Sequence, residues 1–414
     1  MDGSSARRRL QRPSLLASLL LAPIAIALAA RDAGAAAFVV PCDAGALRDA
    51  ITAANRNGEE DILWLAPSCV YTLDESVVVA SDASSPVTIH GRGATLDGNG
   101  AVIPLVLLVH ATLLADDLTV RDGTSGGDGG GIAVGLDATA TLSECTVMDN
   151  AANGAGGGIQ NLGELRLTRC TVFGNAAVTS GGGIGNAAGR LSLVDSSVVA
   201  NFAGIGGALF NGSSSKMAVI DSTLSHNGAH GSGAAIFNNG GGQVVLGNVT
   251  IADSWSEIAL PVLRNLGTMH LSQTIVAGTT NGADCGNLGT LTQDGVNLIG
   301  DGSCALPGAL AGDPKLAPLE GIPAFHRLRR GSPAIDAGDD AHCPAVDQTG
   351  APRPRDGNQD GIAACDLGAY ESNGQFEKSA CGLLGIEFLL VPFGLGASRW
   401  RARRRAGRSD PSSA

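Results

Sequence analysis

Short segments of alternating apolar and polar residues recur along the middle of this chain at intervals of about 26 residues. In one repeat the apolar positions are Leu165, Leu167, Cys170, Val172 and Ile184, which alternation places on one face of short strands. Each repeat holds three such segments, separated by turns at an asparagine and near glycines. A chain that turns three times per repeat closes one rung of a right-handed parallel β-helix, whose rungs stack about 4.8 Å apart. The pattern therefore predicts an all-β solenoid.

Asparagines mark the same two places in successive repeats. One series follows a glycine-rich or small-residue segment at spacings of 25, 25, 27 and 27 residues: Asn161, Asn186, Asn211, Asn238 and Asn265. A second series follows the β-branched segments: Asn150, Asn175, Asn201 and Asn227. Identical side chains stacked in register hydrogen-bond along the column, and asparagine tolerates the left-handed backbone of a sharp corner. The alternative, that asparagine is merely common in turns, does not account for the regular spacing.

The residues ahead of the repeats predict a cap for the solenoid. Asp43 is placed to cap a short helix that carries Leu47, Ala50, Ile51 and Ala54 on one face. Such a helix would cover the open end of the first coil and shield both the core and a strand edge.

Both ends of the chain are predicted to be targeting segments. Residues 1–36 match a signal peptide, with arginines, an apolar stretch and small-residue cleavage sites, although an uncleaved membrane anchor is the alternative. In residues 373–414 a linker leads to Cys381, an apolar segment and an arginine cluster. This arrangement resembles the bacterial sorting tails of the PEP-CTERM kind, which implies export and sorting machinery and a membrane-held C-terminus. Cys381 is a candidate for processing or lipid attachment, with an unmodified thiol as the alternative.

Charge and composition narrow the choice of partner. The net charge is −12, but residues 1–36 and 381–414 hold eleven of the 27 basic and four of the 39 acidic side chains, which leaves 16 basic and 35 acidic groups between them. A body this acidic should repel nucleic acid and polyanionic polymers and attract divalent cations. We therefore expect no nucleic-acid partner.

Nine cysteines suit an exported chain, in which disulfides form. Three pairings are predicted: Cys42 with Cys69 at the cap, Cys285 with Cys304 across a glycine-rich loop, and Cys343 with Cys365 around residues 356–362. Cys145 and Cys170 occupy the same position in adjacent rungs, at a spacing that permits a further bond. They are equally explained as two stacked thiols in a core of small residues.

Two parts of the chain carry a family resemblance. Residues 41–51 resemble the CSLREA segment of bacterial surface β-helix proteins, and residues 331–338, 347–350 and 365–371 resemble the choice-of-anchor Q domain. Together these resemblances imply an exported, surface-attached, pectin-lyase-like β-helix over residues 37–320 and a choice-of-anchor Q-like module over residues 321–372. They imply no established reaction.

An acidic loop near the C-terminus predicts a calcium site. Oxygen ligands at alternate positions, followed by Gly361 for the sharp turn, match the first half of an EF-hand-like loop. The predicted ligands are the side chains of Asp356, Asn358 and Asp360 and the carbonyl of Ile362. Leu367 stands where a bidentate glutamate is expected, and Asp366, one residue earlier, is a possible substitute. A solvated acidic turn without metal is the alternative.

One outward column is a weak candidate for catalysis. Alignment of the rungs places five residues in register: Asp117, Glu144, Arg169, Asp195 and Asp221. Asp122 and Asp149 align in the same way, one rung apart. Stacked carboxylates raise a pKa or hold a cation, and a nearby arginine suits uronate chemistry. The alternative is a solvated charge ladder. His226 and His230 lie in one turn but match no recognisable metal spacing or triad.

These patterns favour a non-enzymatic protein exported to the bacterial cell envelope, with an adhesive, matrix-binding or structural role. Its expected partner is an extracellular polysaccharide or another cell-surface ligand. The alternatives are a polysaccharide-active enzyme, lyase or hydrolase, and a calcium-dependent carbohydrate-binding module; the first depends mainly on analogy of fold.

Overall fold

The chain folds as a right-handed parallel β-helix of about ten turns, as its repeat predicts. The computed structural model describes residues 36–80 and 85–376. The predicted signal peptide, apolar tail and Cys381 therefore lie outside the described residues, apart from Ala36 and residues 373–376. Three parallel sheets of 19, nine and six strands run along the solenoid, and a two-stranded antiparallel pair follows them.

The 19-stranded sheet has two arms that meet at a corner. The first arm contains Ala36–Val40, Asp61–Leu65, Thr139–Ser143, Glu164–Thr168, Arg190–Val194, Lys216–Ile220, Gln243–Gly247, Thr268–Ser272 and Thr290–Asp294. The second arm contains Val70–Thr72, Thr146–Met148, Thr171–Phe173, Ser197–Val199, Thr223–Ser225, Thr250–Ala252, Ile275–Ala277 and Leu298–Ile299. Two long strands, Val87–Asp97 and Thr112–Arg121, belong to both arms.

The other two parallel sheets complete each rung. The six-stranded sheet contains Thr124–Ser125, Ala151–Ala152, Ala176–Ala177, Phe202–Ala203, Gly228–Ala229 and Trp255–Ser256. The nine-stranded sheet contains Val77–Val79, Leu105–Leu107, Ile132–Val134, Ile159–Asn161, Ile184–Asn186, Leu209–Asn211, Ile236–Asn238, Leu263–Asn265 and Cys285–Asn287. A complete rung thus has four strand segments, one more than the sequence predicts. The additional segment is two residues long, too short to show an alternating pattern.

The core is a narrow column of aliphatic side chains between the sheets. Leu165, Leu167, Cys170, Val172 and Ile184 are all buried, as the alternation predicts. The same rows continue in the neighbouring rungs, so that one contiguous apolar cluster extends from the capping helix to the last rung.

A helix, Ala44–Asn57, caps the first coil. The Asp43 carboxylate accepts a hydrogen bond from the Ala46 N–H at 2.7 Å, and Gly58 ends the helix in the left-handed conformation. Leu47, Ile51 and Ala54 are buried against the core, whereas Ala50 is only partly buried. Within the described ranges, no helix has the length and apolarity that crossing a bilayer would require.

Two columns of buried amides link the rungs. In the first, the Nδ2 groups of Asn150, Asn175 and Asn201 each donate to the Oδ1 of the next asparagine, ending at Asn227, over 2.9–3.1 Å. In the second, five successive bonds of 2.7–2.9 Å join six side chains: Asn161, Asn186, Asn211, Asn238, Asn265 and Asn287. Asn287, which the sequence analysis did not include, extends the second column beyond the last recognisable glycine-rich mark.

After the last rung the chain folds back along the solenoid. The antiparallel strands Leu316–Glu320 and Phe325–Leu328 and a short 3-10 helix, Asp340–His342, are its only regular elements within the described residues. The strand pair spans the boundary predicted at residues 320 and 321. This C-terminal segment packs on the solenoid through a second, smaller apolar cluster that includes Ile275, Leu298, Leu328 and Leu367.

Candidate functional site

The predicted catalytic column lies at the corner between the two arms of the long sheet. Asp117, Glu144, Arg169, Asp195 and Asp221 all have left-handed backbones, with φ between 44° and 54°. Asn248 and Gln273 continue the row with φ of 52° and 50°. Short polar side chains such as aspartate and asparagine tolerate this conformation better than most residues. The backbone of the corner therefore explains much of the recurrence of polar residues at this position.

An ion pair joins two members of the exposed half of the column. Arg169 donates to the Glu144 carboxylate from both Nε and Nη2, at 3.1 and 2.8 Å. The two side chains are about half exposed, at 52% and 58%, so the pair contributes at most about 1 kcal/mol. Asp122 and Asp149 lie at the next corner, also with left-handed φ, of 49° and 55°. They are in register one rung apart, as the sequence predicts, but on the other side of the second arm.

The C-terminal segment covers the other half of the column. Four hydrogen bonds join it to successive strands of the second arm: Ala324 N to Ser197 Oγ, Thr223 Oγ1 to Gln348 Oε1, Ser225 Oγ with His326 Nε2, and Ala369 N to Thr250 Oγ1. As a result Asp221 is 5% exposed and Asp195 is only partly exposed. The outer face that would carry a catalytic row is therefore open at only one end.

Asp221 is the most perturbed member of this column. Burial raises its pKa to about 7, an effect that the guanidinium of Arg353 partly offsets and that Asp195 and Asp347 increase. Its Oδ1 is buried without a hydrogen-bond partner. A carboxylate in this position costs free energy because desolvation disfavours its charged form.

The predicted calcium loop curls around the Asp356 carboxylate. Its two oxygens accept hydrogen bonds from the N–H groups of Asp360 and Gly361, at 3.1 and 2.9 Å. The Asp360 N–H also donates to Asn358 Oδ1, and Asp360 Oδ1 accepts from the Ile362 N–H. Gly361 has a φ of 92°, as the sharp turn requires. The three predicted side-chain ligands are exposed or partly exposed and are thus gathered in one turn.

Asp366 does not substitute for the missing twelfth ligand. It is buried, and its two oxygens accept hydrogen bonds from the N–H groups of Asp336 and Ser372, at 2.7 and 2.6 Å. Burial, with a further contribution from Glu371, raises the pKa of Asp366 to about 8, so it is mainly neutral at pH 7. Leu367 belongs to the apolar cluster beneath the segment.

Three disulfides form as the sequence predicts: Cys42–Cys69, Cys285–Cys304 and Cys343–Cys365. They indicate an oxidising environment such as that outside the cell.

Cys145 and Cys170 are two separate buried thiols rather than a disulfide. The Cys145 N–H points to the Cys170 sulfur at 3.4 Å, and the Cys170 N–H donates to Ser196 Oγ at 2.9 Å. The Ser196 N–H in turn donates to Ser222 Oγ at 3.1 Å. The thiols therefore belong to a column of small side chains, each of which accepts a hydrogen bond from a backbone N–H of the preceding rung. In later rungs serine occupies this position.

A groove on the outer face of the first arm is lined by three cations, Arg166, Arg190 and Lys216, and by two carboxylates, Asp137 and Glu164. It consists of two adjoining depressions of about 400 and 340 Å³ that share Glu164, Arg190 and Lys216. The groove runs along the solenoid axis, because it follows five residues that are paired in register on successive rungs: Thr139, Glu164, Arg190, Lys216 and Gln243.

The charges of this groove are only partly paired. Arg166 forms an ion pair with Glu164 at 2.5 Å. Among the described residues, no carboxylate lies within 4.0 Å of Arg190 or Lys216, which are exposed and adjacent in register. These cations were not predicted from the sequence, although the outward positions of the first arm repeat as regularly as the asparagines.

Two comparisons of the sequence were made, with protein families and with curated proteins. No family model matches the chain, and no curated protein sequence matches it. The resemblances to the CSLREA segment and to the choice-of-anchor Q domain therefore remain predictions.

The Asp221 carboxyl predicts a specific pH dependence of stability. Its pKa in the folded chain lies above that in the unfolded chain, so its contribution to stability is complete below about pH 4 and declines as the pH rises through about 7. We expect Asp221→Asn to stabilise the protein at pH 8 by on the order of 3 kcal/mol more than at pH 4. Urea unfolding at the two pH values measures this difference.

Asp117→Asn provides the matched control, because Asp117 is exposed and has the same left-handed backbone in the same row. It should change the free energy of unfolding by less than about 0.5 kcal/mol at either pH. Equal effects of Asp221→Asn at pH 4 and pH 8 would contradict the buried, uncompensated carboxyl.

Proposed function

We propose that this chain is an exported, surface-attached binding protein of pectin-lyase-like architecture whose ligand is an acidic extracellular polysaccharide. The β-helix and the disulfides support a role outside the cell, and the predicted signal peptide and sorting tail agree with it. The proposal depends chiefly on one observation: Arg190 and Lys216 lie on neighbouring rungs of the groove, and no carboxylate of the described residues forms an ion pair with either.

Two cations on adjacent rungs favour an anion between them. Strands in register lie about 4.8 Å apart, so the backbones that carry Arg190 and Lys216 hold like charges close together. Uronate carboxylates match this arrangement, because arginine binds them through two parallel hydrogen bonds and lysine as a point charge. The net negative charge of the body opposes polyanions at long range, but screening limits that repulsion to about 10 Å at 0.1 M salt.

The shape of the groove suits a polymer rather than a small ligand. The row from Thr139 to Gln243 covers four rung-to-rung steps, about 19 Å, along the solenoid axis. Arg166 lines the larger depression, two residues along the strand from Glu164. A chain laid along the axis would meet the same backbone geometry at each rung, as an extended polysaccharide requires.

Removal of the two groove cations should weaken binding to a uronate polymer. We expect Arg190→Gln with Lys216→Gln to lower affinity for polygalacturonate at least about tenfold, since a hydrogen bond to a charged group contributes about 1.5–3 kcal/mol. Binding of the purified full-length protein to the immobilised polymer gives the affinity. Affinity should fall as salt is added, and a neutral glucan should bind weakly.

The control removes the same charge elsewhere. Arg264→Gln with Arg330→Gln changes two arginines outside the groove and should retain the affinity of the parent protein. Equal loss in both double variants would show that net charge, not the groove, governs binding. Release of shortened chains from the polymer would instead identify an enzyme and overturn the binding role.

We further propose that the Asp356 loop binds Ca²⁺ and stiffens the C-terminal segment. Asp356, Asn358, Asp360 and the Ile362 carbonyl supply the oxygen ligands that this hard cation prefers. The hydrogen bonds from Asp360 and Gly361 to Asp356 hold the turn in the required curl without metal. The absence of a glutamate at the twelfth position implies a weak site, completed by water.

Calcium should therefore raise the melting temperature of the protein. With millimolar Ca²⁺ we expect a shift of a few degrees, because a ligand that binds only the folded state stabilises it. The shift should disappear in Asp356→Asn with Asp360→Asn and persist in Asp313→Asn, which removes an exposed carboxylate outside the loop. If calcium does not change the melting temperature of the parent protein, the proposal of a calcium site is wrong.

A further inference from the structure

Two histidines and an aspartate converge where the C-terminal segment meets the solenoid. His226 and Asp253 follow the paired strands Thr223–Ser225 and Thr250–Ala252, so they occupy the same corner of successive rungs. Both have left-handed backbones, with φ of 56° and 51°. His326 reaches them from the strand Phe325–Leu328. Their ligand atoms all lie within 4.8 Å of one another.

Ser225 bonds to both imidazole rings and so fixes which nitrogen of each carries the proton. His326 Nδ1 lies 2.7 Å from the carbonyl oxygen of Ala317, to which it must donate, so its Nε2 carries the lone pair. Ser225 Oγ lies 2.8 Å from this Nε2 and also 2.8 Å from Nδ1 of His226. Ser225 therefore donates to His326 and accepts from His226, which leaves Nε2 of His226 facing Asp253 at 4.0 Å from Oδ2.

The burial of His326 suits a ligand rather than a cation. The residue is 2% exposed, and a charged ring is costly in such surroundings. Neutral imidazole is the form that binds metals. A second nitrogen that donates to a backbone carbonyl is the usual outer-sphere support for such a ligand.

We propose that His226 Nε2, His326 Nε2 and an Asp253 carboxylate oxygen bind a divalent transition metal of the zinc class. Two imidazoles and one carboxylate are ligands that Zn²⁺ accepts readily, whereas Ca²⁺ prefers oxygen. Tetrahedral ligands about 2.0–2.1 Å from zinc lie roughly 3.4 Å apart, so the site must contract by about 1 Å. His226 and Asp253 have partly exposed side chains that can make this adjustment, and at His326 the metal takes the place of the Ser225 hydroxyl hydrogen at Nε2.

An open cleft borders the site on the side of Asp253. Asp253 and Ala317, which form and support the site, also line an open depression of about 280 Å³ together with Asp313 and Arg329. Water or an anionic group held by Arg329 can complete the coordination from this side. The metal joins residues 226 and 326, and so it would clamp the C-terminal segment onto the second arm.

Zinc titration of the full-length protein tests this site. After treatment with a chelator, the parent protein should bind Zn²⁺ in calorimetry, and Co²⁺ in its place should give the visible absorption of a tetrahedral centre. His226→Gln and Asp253→Asn should each weaken this binding at least about 100-fold, since loss of outer-sphere partners alone costs about 10–100-fold.

Matched variants separate this site from others. His230→Gln removes an exposed histidine of the same turn, and Asp356→Asn alters the proposed calcium loop; both should bind zinc as the parent does. His226 and Asp253 are surface residues, so their variants should fold, and their circular dichroism should match that of the parent. The proposal is overturned if the parent binds no Zn²⁺, or if His226→Gln binds it unchanged, in which case the cluster is only a hydrogen-bond relay.

Discussion

The register between rungs is the constraint on which the rest of this structure depends. In a parallel solenoid each backbone group bonds to the rung above or below, so a shift of one residue would move every inward side chain outward. The buried asparagines oppose such a shift, because each amide bonds to its counterpart and to a neighbouring carbonyl. Asn175, for example, donates from Nδ2 to both Asn201 Oδ1 and the Val147 carbonyl, at 3.0 Å in each case. A slipped rung would leave these buried groups without partners, at about 1–3 kcal/mol each.

Stacking in register also explains the chemistry of the surface. Small residues recur where backbones approach closely: a Cβ on Gly157 would lie 2.4 Å from the backbone of Ala176 in the next rung. The same repetition aligns like residues outside, which produces a row of left-handed corners at Glu144 and Arg169 and a row of cations at Arg190 and Lys216. The two rows differ in whether the C-terminal segment covers them. The C-terminal segment buries part of the corner row and leaves the groove of the first arm open, and this difference favours the groove as a binding surface.

The repeating part of the molecule could be predicted from sequence, whereas the contacts of the C-terminal segment could not. The asparagine columns could be predicted because asparagine recurs at a fixed period. The helix could be predicted because its N-terminal cap, Asp43, is a local signal. The spacing of Cys145 and Cys170 also predicted that they stack in adjacent rungs. Whether they form a disulfide or remain thiols could not be predicted, because it depends on backbone N–H groups at the corner, whose geometry the sequence does not reveal. His326 lies 100 residues from His226 and belongs to no repeat, so no spacing relates the two. The burial of Asp221 was hidden for the same reason, since the covering segment has no periodic pattern.

A double-mutant cycle on one asparagine column tests the central claim most directly. Asn186 and Asn211 are bonded neighbours at 2.8 Å, whereas Asn161 and Asn265 are four rungs, or about 19 Å, apart in the same column. With alanine at these positions, the free energies of unfolding should show a coupling of about 1 kcal/mol for the neighbours and additivity within about 0.5 kcal/mol for the distant pair. If the neighbours were as additive as the distant pair, the amide columns would not be what holds successive rungs in register.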